Sequence, residues 1–180
     1  MILLARHGET ADNAPPARVQ GWIDTPLNDV GREQARRIAE QVAGDGVTAI
    51  YTSQLARARE TAEIVAAELG LGVVVDERLA ESSRGIWEGR LIEEIEREDP
   101  DLWAAWRRGG ADFRFPGGES LAEHAARVTE ALEEILAGAL PALCVCHGGT
   151  IRCAVALRNP RGLDSFHELD VPNASVIRLP

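Results

Sequence analysis

The sequence predicts an α/β fold: a three-layer αβα sandwich with a mostly parallel central sheet, helices on both faces and a small helical cap. Short apolar runs typical of buried strands alternate with longer amphipathic stretches typical of helices. Glycines, prolines and other turn-forming residues separate these elements. The length of 180 residues suits one domain. We therefore expect a single domain over 1–180, with a cap excursion at about 76–118.

Apolar runs predict the five strands, at 1–5, 47–51, 73–75, 140–146 and 175–179. Amphipathic stretches predict three main helices, at about 29–43, 54–69 and 119–137, and an apolar stretch predicts a fourth at 151–157. Asn28 or Asp29 is the expected N-cap of the first helix, and Ser53 that of the second. Gly70 and Gly72 are expected to end the second helix.

The least regular stretch, about 76–118, forms the predicted cap. Two short helices are expected there, at 91–98 and 101–108. Three of the four tryptophans also lie there, at positions 87, 103 and 106. We expect Trp103 and Trp106 to be packing residues, and the cap to lie over the carboxyl edge of the sheet.

Composition and hydropathy indicate a globular protein, with 45% hydrophobic and 27% charged residues. No apolar run reaches the roughly 20 residues that a membrane-spanning helix needs. Arg6 and Glu9 interrupt the first apolar stretch before any cleavage-site pattern of a signal peptide. These observations predict a cytoplasmic protein that does not bind a membrane.

The charge distribution restricts the possible ligands. A net charge of −10 argues against nucleic acid as a partner, although a locally positive pocket can still bind a small anion. All 19 basic residues are arginines, which excludes a Schiff-base lysine and a P-loop lysine. Arginine is the better bidentate partner for phosphate or carboxylate.

Cysteine usage gives no sign of a metal site. Cys144, Cys146 and Cys153 lie in apolar surroundings, and no cysteine–histidine spacing resembles a zinc site. We expect buried free thiols and no bound metal.

Polar groups follow three of the predicted strands. His7 follows the first strand, Ser53 and Arg57 follow the second, and His147 follows a later one. The carboxyl ends of strands in a doubly wound sheet meet at one edge, so these groups are expected to converge. Each cue has a structural alternative: His7 could be solvated at a strand end, Arg57 solvated on its helix, and His147 a core histidine.

The sequence resembles the histidine phosphatase superfamily, also called the phosphoglycerate mutase-like family. The matching residues occur in the family's order along nearly the whole chain. They are Arg6-His7-Gly8-Glu9-Thr10, Asn13, Gln20-Gly21, Asp24, Pro26-Leu27, Ser53, Arg57-Ala58, Thr61-Ala62, Glu81, Gly85, Trp87-Glu88-Gly89, Pro116-Gly117-Gly118-Glu119-Ser120, His147-Gly148-Gly149 and Asn173.

The resemblance implies a role for each site residue. His7 is the nucleophile that becomes phosphohistidine, and Glu81 is the general acid, with Glu88 as a competitor. The residues implied to bind the phosphoryl group or line its pocket are Arg6, Asn13, Arg57, His147 and Gly148. Physical chemistry agrees, because phosphoryl transfer depends on positioning and charge neutralisation, which arginines supply without a metal or cofactor. His7 must be neutral, with its other ring nitrogen donating to a backbone carbonyl.

Some residues carry no role in the resemblance. His124 and His167 are expected to be solvated or structural. Arg84 departs from the family pattern and is expected either near the pocket mouth or in a surface ion pair with Glu81 or Glu88. Arg18 could reach the phosphate entrance.

Three functions remain open at this point. The favoured one is a phosphomonoesterase, because the segment between Glu81 and Pro116 is short and a thin cap admits water. A mutase dependent on 2,3-bisphosphoglycerate is the alternative, since Arg84 or Arg107-Arg108 could bind a carboxylate. A non-catalytic phosphate-binding protein is the third. The expected partner is a small phosphorylated metabolite: a phosphoglycerate, α-ribazole phosphate or a phosphosugar. The sequence leaves monomer and homodimer open.

Overall fold

The computed structural model describes residues 1–179 and contains a sheet with strand order β3-β2-β4-β1-β5. The strands are β1 (Ile2–Arg6), β2 (Ala49–Thr52), β3 (Val73–Val75), β4 (Ala142–Cys146) and β5 (Val176–Leu179). All neighbouring strands are parallel except β5, which pairs antiparallel with β1 at one edge. The predicted mostly parallel sheet is therefore confirmed. Pro180, at the end of the predicted domain, lies outside the described residues.

The helices are α1 (Asp29–Val42), α2 (Ala56–Leu69), α3 (Ile92–Glu98), α4 (Pro100–Arg108), α5 (Leu121–Leu136) and α6 (Gly148–Ala156). Asn28 is the N-cap of α1, as predicted, because its side chain accepts a hydrogen bond from the Gly31 N–H at 2.8 Å. Gly70, in the left-handed conformation, ends α2.

Three predicted helix starts are wrong. Helix α5 begins at Leu121, with Ser120 as its N-cap, rather than at residue 119. Helix α2 begins at Ala56 with Leu55 at its N-cap, and Ser53 does not cap it, because the Ser53 hydroxyl contacts His147 instead. Helix α6 begins at Gly148 rather than at residue 151. Its glycines occupy the first turn, where the amide N–H groups have no partner within the helix and can bind other groups.

Alternate residues of β1 face opposite layers of helices. Ile2 and Leu4 pack in a core with α5 and α6, whereas Leu3 and Ala5 pack in a second core with α1 and α2. All four side chains are at most 1% exposed. The sheet is thus covered on both faces, as expected for parallel strands, and the three-layer prediction is confirmed.

The cap forms a third, aromatic cluster against α5 and α6. The rings of Trp106 and Phe115 lie 4.8 Å apart, and Trp87 meets Phe115 edge-on at 5.6 Å. Trp106 is 5% exposed, which confirms its predicted packing role. This cluster fixes the cap beside the carboxyl ends of β1 and β4.

Candidate active site

A cavity of about 320 Å³ lies at the carboxyl edge of the sheet. Strand β4 lies between β1 and β2, so the segments that follow these three strands meet there. The cavity walls include six of the predicted site residues, namely Arg6, His7, Asn13, Arg57, Glu81 and Gly148. His147 is fully buried and is not part of these walls, but its ring centroid lies 5.2 Å from that of His7.

His7 is oriented by its own backbone. Its Nδ1 lies 2.7 Å from the Gly8 carbonyl oxygen and donates to it, as predicted. The side chain of Asn173 donates to the His7 carbonyl oxygen at 3.0 Å and so holds the backbone that follows β1. Burial lowers the pKa of His7 well below 6.5, and the positive charges of Arg57 and Arg6 lower it further. The imidazole is therefore neutral at neutral pH, with its lone pair on Nε2.

Arg6 and Arg57 hold their guanidinium groups through backbone carbonyls. Arg6 donates to the Val171 carbonyl at 2.6 Å, and Arg57 donates to those of Ile23 and Gly21 at 2.8 and 2.7 Å. Burial lowers the pKa of Arg57 to about 10, so it remains a cation at neutral pH. The Nε atoms of both arginines are buried without a partner among residues 1–179. Both side chains line the cavity, so their guanidinium groups are placed to neutralise an anion there.

Ser53 and His147 form a second pair behind His7. The Ser53 hydroxyl oxygen lies 2.7 Å from Nε2 of His147, and both side chains are fully buried. Nδ1 of His147 has no partner within the described chain. Burial, followed by the charge of Arg57, lowers the pKa of His147 well below 6.5. The ring is therefore neutral.

Glu81 reaches the cavity from the segment that leads into the cap. Its Oε2 accepts from the Gly149 N–H at 3.0 Å, and its Oε1 accepts from the Ser82 N–H at 2.9 Å. A Cβ added at Gly149 would lie 2.1 Å from Oε1, so a larger residue there would displace the carboxylate from this position. Burial opposes ionisation of Glu81, but the charge of Arg84 and the Gly149 amide outweigh it and hold the pKa well below 4.5. Glu81 is thus a carboxylate in the ligand-free protein.

Glu88, the competing acid, has a structural position. Its Oε1 accepts from the backbone N–H groups of Trp22 and Arg84, at 3.1 and 2.8 Å. Glu88 is not among the residues of the cavity walls, where Glu81 is the one carboxylate that residues 1–179 supply.

Asn13 is held at the cavity edge by two neighbours. Its Oδ1 accepts from the Thr10 N–H at 2.6 Å, and its Nδ2 donates to Asn173. The same loop brings Arg18 to the cavity wall, where Arg18 donates to the Gly89 carbonyl at 2.8 Å.

The cavity walls also contain residues that the sequence did not assign to the site. Among them are Arg152, His167, Trp103 and Trp106. Arg152 lies one helical turn after Gly148, on the same face of α6. Because the sequence predicted that this helix starts at residue 151, it did not place Gly148 and Arg152 on the same helix. The sequence contains no pattern that places His167 at the cavity. Its position depends on the packing of the segment after α6 against α4.

Two expectations about charged residues left alternatives open, and the structure decides between them. Arg84 lines the cavity, as one alternative predicted, and its ion pair with Glu81, at 3.6 Å from Nη2, is largely buried rather than on the surface. His124 is not solvated but fully buried between Thr150 and Cys153, at 3.3 and 3.7 Å. The alternative that His124 is structural is therefore the correct one.

The described residues offer no metal site or membrane span. Within residues 1–179, no group of three or more His, Cys, Asp or Glu side chains could hold a metal ion. No helix in the same range is long and apolar enough to cross a bilayer. The three cysteines are buried free thiols, as predicted, and burial raises their pKa values.

Fold and site together define an αβα protein with two buried neutral histidines and two anchored arginines around an anion-sized cavity. The chain belongs to the histidine phosphatase superfamily (branch 1), whose family model matches residues 2–180. This membership confirms the resemblance stated above. It makes the chain an enzyme of that superfamily, phosphatase-like or mutase-like.

Relatives of both kinds are similar to this chain. A protein of Serratia proteamaculans named probable phosphoglycerate mutase GpmB is 39% identical over 99% of this chain and 83% of its own length. The mycobacterial glucosyl-3-phosphoglycerate phosphatase, solved with VO3, has a TM-score of 0.86 at 34% identity, over 97% of this chain and 88% of that one. YhfR of Bacillus stearothermophilus has a TM-score of 0.87 at 33% identity, with the same coverage.

Proposed function

We propose that this protein is a metal-independent phosphomonoesterase that hydrolyses a small phosphorylated metabolite through phosphohistidine. The observation that carries the proposal is the convergence of a neutral, oriented His7 with the anchored guanidinium groups of Arg6 and Arg57 at one cavity. This arrangement suits a phosphoryl group, whose charge must be neutralised as it is transferred.

In the first step, Nε2 of His7 attacks phosphorus. The N–P bond forms as the bond between phosphorus and the ester oxygen breaks. Arg6, Arg57 and Nδ1 of His147 bind the equatorial oxygens, where the charge lies. The leaving alkoxide takes a proton from Glu81, and the alcohol departs.

In the second step, water attacks the phosphorus of phosphohistidine. Glu81, now a carboxylate, removes a proton from the water, and the N–P bond breaks. Inorganic phosphate leaves, and the lone pair returns to Nε2 of His7. Glu81 passes this proton to the departing phosphate and returns to the carboxylate of the ligand-free protein, so the cycle closes.

The low pKa of Glu81 sets a condition on the first step. Glu81 is ionised in the free enzyme, so the proton must arrive with the substrate. A phosphomonoester has its second pKa near 6, and its monoanion carries that proton. The negative charge of the bound phosphate then favours protonation of the neighbouring carboxyl group.

The mutase remains a second candidate because of the names of the curated relatives. Probable phosphoglycerate mutase GpmB of Serratia proteamaculans is one of them, whereas the mycobacterial neighbour is a phosphatase. The short cap segment between Glu81 and Pro116 supports the phosphatase, because a mutase must exclude water from its phosphohistidine.

A substrate panel tests the proposal. The purified protein is assayed with p-nitrophenyl phosphate, phosphosugars, α-ribazole phosphate and 3-phosphoglycerate, the last with and without 2,3-bisphosphoglycerate. We expect release of inorganic phosphate that persists in a chelator. Isomerisation of 3-phosphoglycerate faster than phosphate release would establish the mutase instead, and activity lost to the chelator but restored by metal would overturn the metal-free mechanism. Phosphate binding without turnover would indicate a non-catalytic protein.

A further inference from the structure

We propose that Arg127 is a positioning residue, which holds the backbone of Glu81 so that the Glu81 carboxyl group faces the leaving oxygen of the substrate. Glu119 in turn orients Arg127. This inference rests on the proposed function, because it assumes that Glu81 protonates the leaving group. Neither Arg127 nor Glu119 is part of the cavity walls, so both would act through Glu81.

Every N–H bond of the Arg127 guanidinium group has an acceptor. Nη1 donates to the carbonyl oxygens of Arg78 and Ala80, both at 2.8 Å, and Nη2 donates to that of Glu81 at 2.9 Å. The remaining N–H bonds, on Nε and Nη2, donate to the two carboxylate oxygens of Glu119 at 2.8 and 2.9 Å. A guanidinium group has five N–H bonds in a fixed planar fork. Arg127 therefore joins α5 to three carbonyl groups of the segment that carries Glu81.

The segment at 80–84 depends on side chains for its position, because it belongs to no helix or strand. Besides Arg127, the Thr150 hydroxyl donates to the Ala80 carbonyl at 3.0 Å, and the Trp22 indole donates to the Glu81 carbonyl at 2.6 Å. Ala80 is fully buried, and a buried carbonyl that loses its donors is costly. These contacts therefore determine where the backbone of Glu81 lies.

The motif Pro116-Gly117-Gly118-Glu119-Ser120, which the family resemblance left without a role, holds the far side of the same segment. Oε2 of Glu119 accepts from the Ser83 N–H at 2.7 Å, and the Glu119 N–H donates to the Ser83 carbonyl at 3.0 Å. A Cβ added at Gly118 would lie 2.3 Å from that carbonyl oxygen, so a larger residue would push the two segments apart.

Glu119 is ionised and can therefore serve as the anchor of Arg127. Burial opposes its ionisation, but the hydrogen bonds from Arg127 and from the Ser83 N–H outweigh burial and hold the pKa of Glu119 below 4.5. The side chains of Arg127 and Glu119 are only 18% and 19% exposed, so solvent screens this ion pair less than a surface pair.

Proton transfer requires the Glu81 carboxyl group to lie within hydrogen-bond reach of the leaving oxygen. The Gly149 N–H fixes one carboxylate oxygen of Glu81, at 3.0 Å. Arg127 fixes the backbone at the other end of the same side chain. A displacement of about 1 Å at a reacting group can cost on the order of 10²-fold in rate. Loss of Arg127 should therefore slow the step that needs the proton, and spare a reaction that does not need it.

Two substrates of similar size separate this role from a general structural one. Benzyl phosphate releases an alkoxide that needs a proton, whereas p-nitrophenyl phosphate releases nitrophenolate without one. Single-turnover phosphorylation of His7 is measured with both substrates in the wild type and in R127M. We expect R127M to slow the reaction of benzyl phosphate about tenfold or more, and that of p-nitrophenyl phosphate less than about threefold.

Arg178 provides a matched control, because it forms the same kind of contact away from the cavity. Its guanidinium group donates to both carboxylate oxygens of Asp45 and to the Gln41 carbonyl. R178M should leave the ratio of the two rates unchanged. R127K keeps the charge but has three N–H bonds instead of five, so it should recover part of the rate with benzyl phosphate. E119Q should change the ratio in the same direction as R127M, and these two variants carry the comparison if R127M does not fold.

A double-mutant cycle shows whether Arg127 acts through Glu81. The proton donor is absent in E81Q, so adding R127M or R127K to E81Q should not slow the reaction of benzyl phosphate further. Losses that multiply in the double variant would overturn this inference alone, as would equal slowing of both substrates by the Arg127 variants. If neither substrate phosphorylates His7 in the wild type, the proposed function is overturned and this inference with it.

Discussion

The hydroxyl oxygen of Ser53 lies 2.7 Å from Nε2 of His147, in a fully buried contact behind His7. Ser53 also accepts from the Leu55 N–H at 3.4 Å, so its own proton is available to Nε2. A proton donated to Nε2 leaves the imidazole proton on Nδ1, the nitrogen that has no partner among residues 1–179. Ser53 is therefore a positioning residue that sets the tautomer of His147.

We expect S53A to lower kcat/KM about tenfold, because the lost hydrogen bond is worth about 1 kcal/mol or slightly more. The ¹⁵N chemical shifts of the His147 ring should show a change in its tautomer. S175A is the matched control, since the buried Ser175 hydroxyl has no partner within the described chain. Unchanged His147 shifts in S53A would contradict the positioning role.

The role of Glu81 predicts a dependence on the leaving group. E81Q keeps the shape but cannot donate a proton, so phosphorylation of His7 by glycerol 3-phosphate should slow about 10²–10⁴-fold. Phosphorylation by p-nitrophenyl phosphate should slow far less, because nitrophenolate leaves without a proton. Single-turnover kinetics measures both. E88Q is the control, and a larger loss in E88Q than in E81Q would make Glu88 the acid.

The pH dependence of kcat/KM follows from the pKa values of His7 and Glu81. Burial lowers the pKa of His7 well below 6.5, so the nucleophile stays neutral as pH falls below 6.5. Glu81 is held as a carboxylate and needs the proton of the substrate monoanion. For an alkyl phosphate, kcat/KM should therefore fall as pH rises above about 6, the second pKa of the phosphate. A kcat/KM that rises from pH 6 to pH 8 would contradict the proposal that the substrate monoanion brings the proton.

Because His124 is fully buried, we expect the protein to lose stability in acid. Burial lowers its pKa from 6.5 to about 4, so the unfolded chain binds a proton there before the folded protein does. The free energy of unfolding therefore decreases as the pH is lowered from 6.5 toward 4, by about 2 kcal/mol between pH 7 and pH 5. The groups that act on its charge are Glu81, Arg84, Glu119 and Arg127.

Urea unfolding of the wild type and H124Q at pH 7 and pH 5 measures this contribution. We expect H124Q to be the less stable at pH 7 but to lose about 2 kcal/mol less than the wild type on acidification, since His7 and His147 titrate in both proteins. Equal losses in the two proteins would show that His124 is not the responsible group.

The fold was largely predictable because its signals are local. Apolar runs with turn residues between them identified β1 to β5, and side-chain alternation along β1 matches the two cores. The convergence of His7 and Arg57 followed from the alternation of strands and helices, and the place of Glu81 followed from the family resemblance. The positions of Arg152 and His167 in the cavity wall were not predictable, because they depend on packing between distant segments. Ser53 was expected near His147, but its hydrogen bond to that residue, 94 positions away, was not predicted, and a local role as a helix cap was assigned instead.

The identity of the phosphorylated residue tests the proposed phosphohistidine mechanism most directly. The protein is mixed with p-nitrophenyl phosphate, quenched in alkali, where phosphohistidine survives, and digested for mass spectrometry. We predict one phosphoryl group on His7, and neither phosphoenzyme nor hydrolysis in H7A, which should still bind vanadate. A phosphoryl group on another residue, or hydrolysis retained in H7A, would contradict the assignment of His7 as the nucleophile.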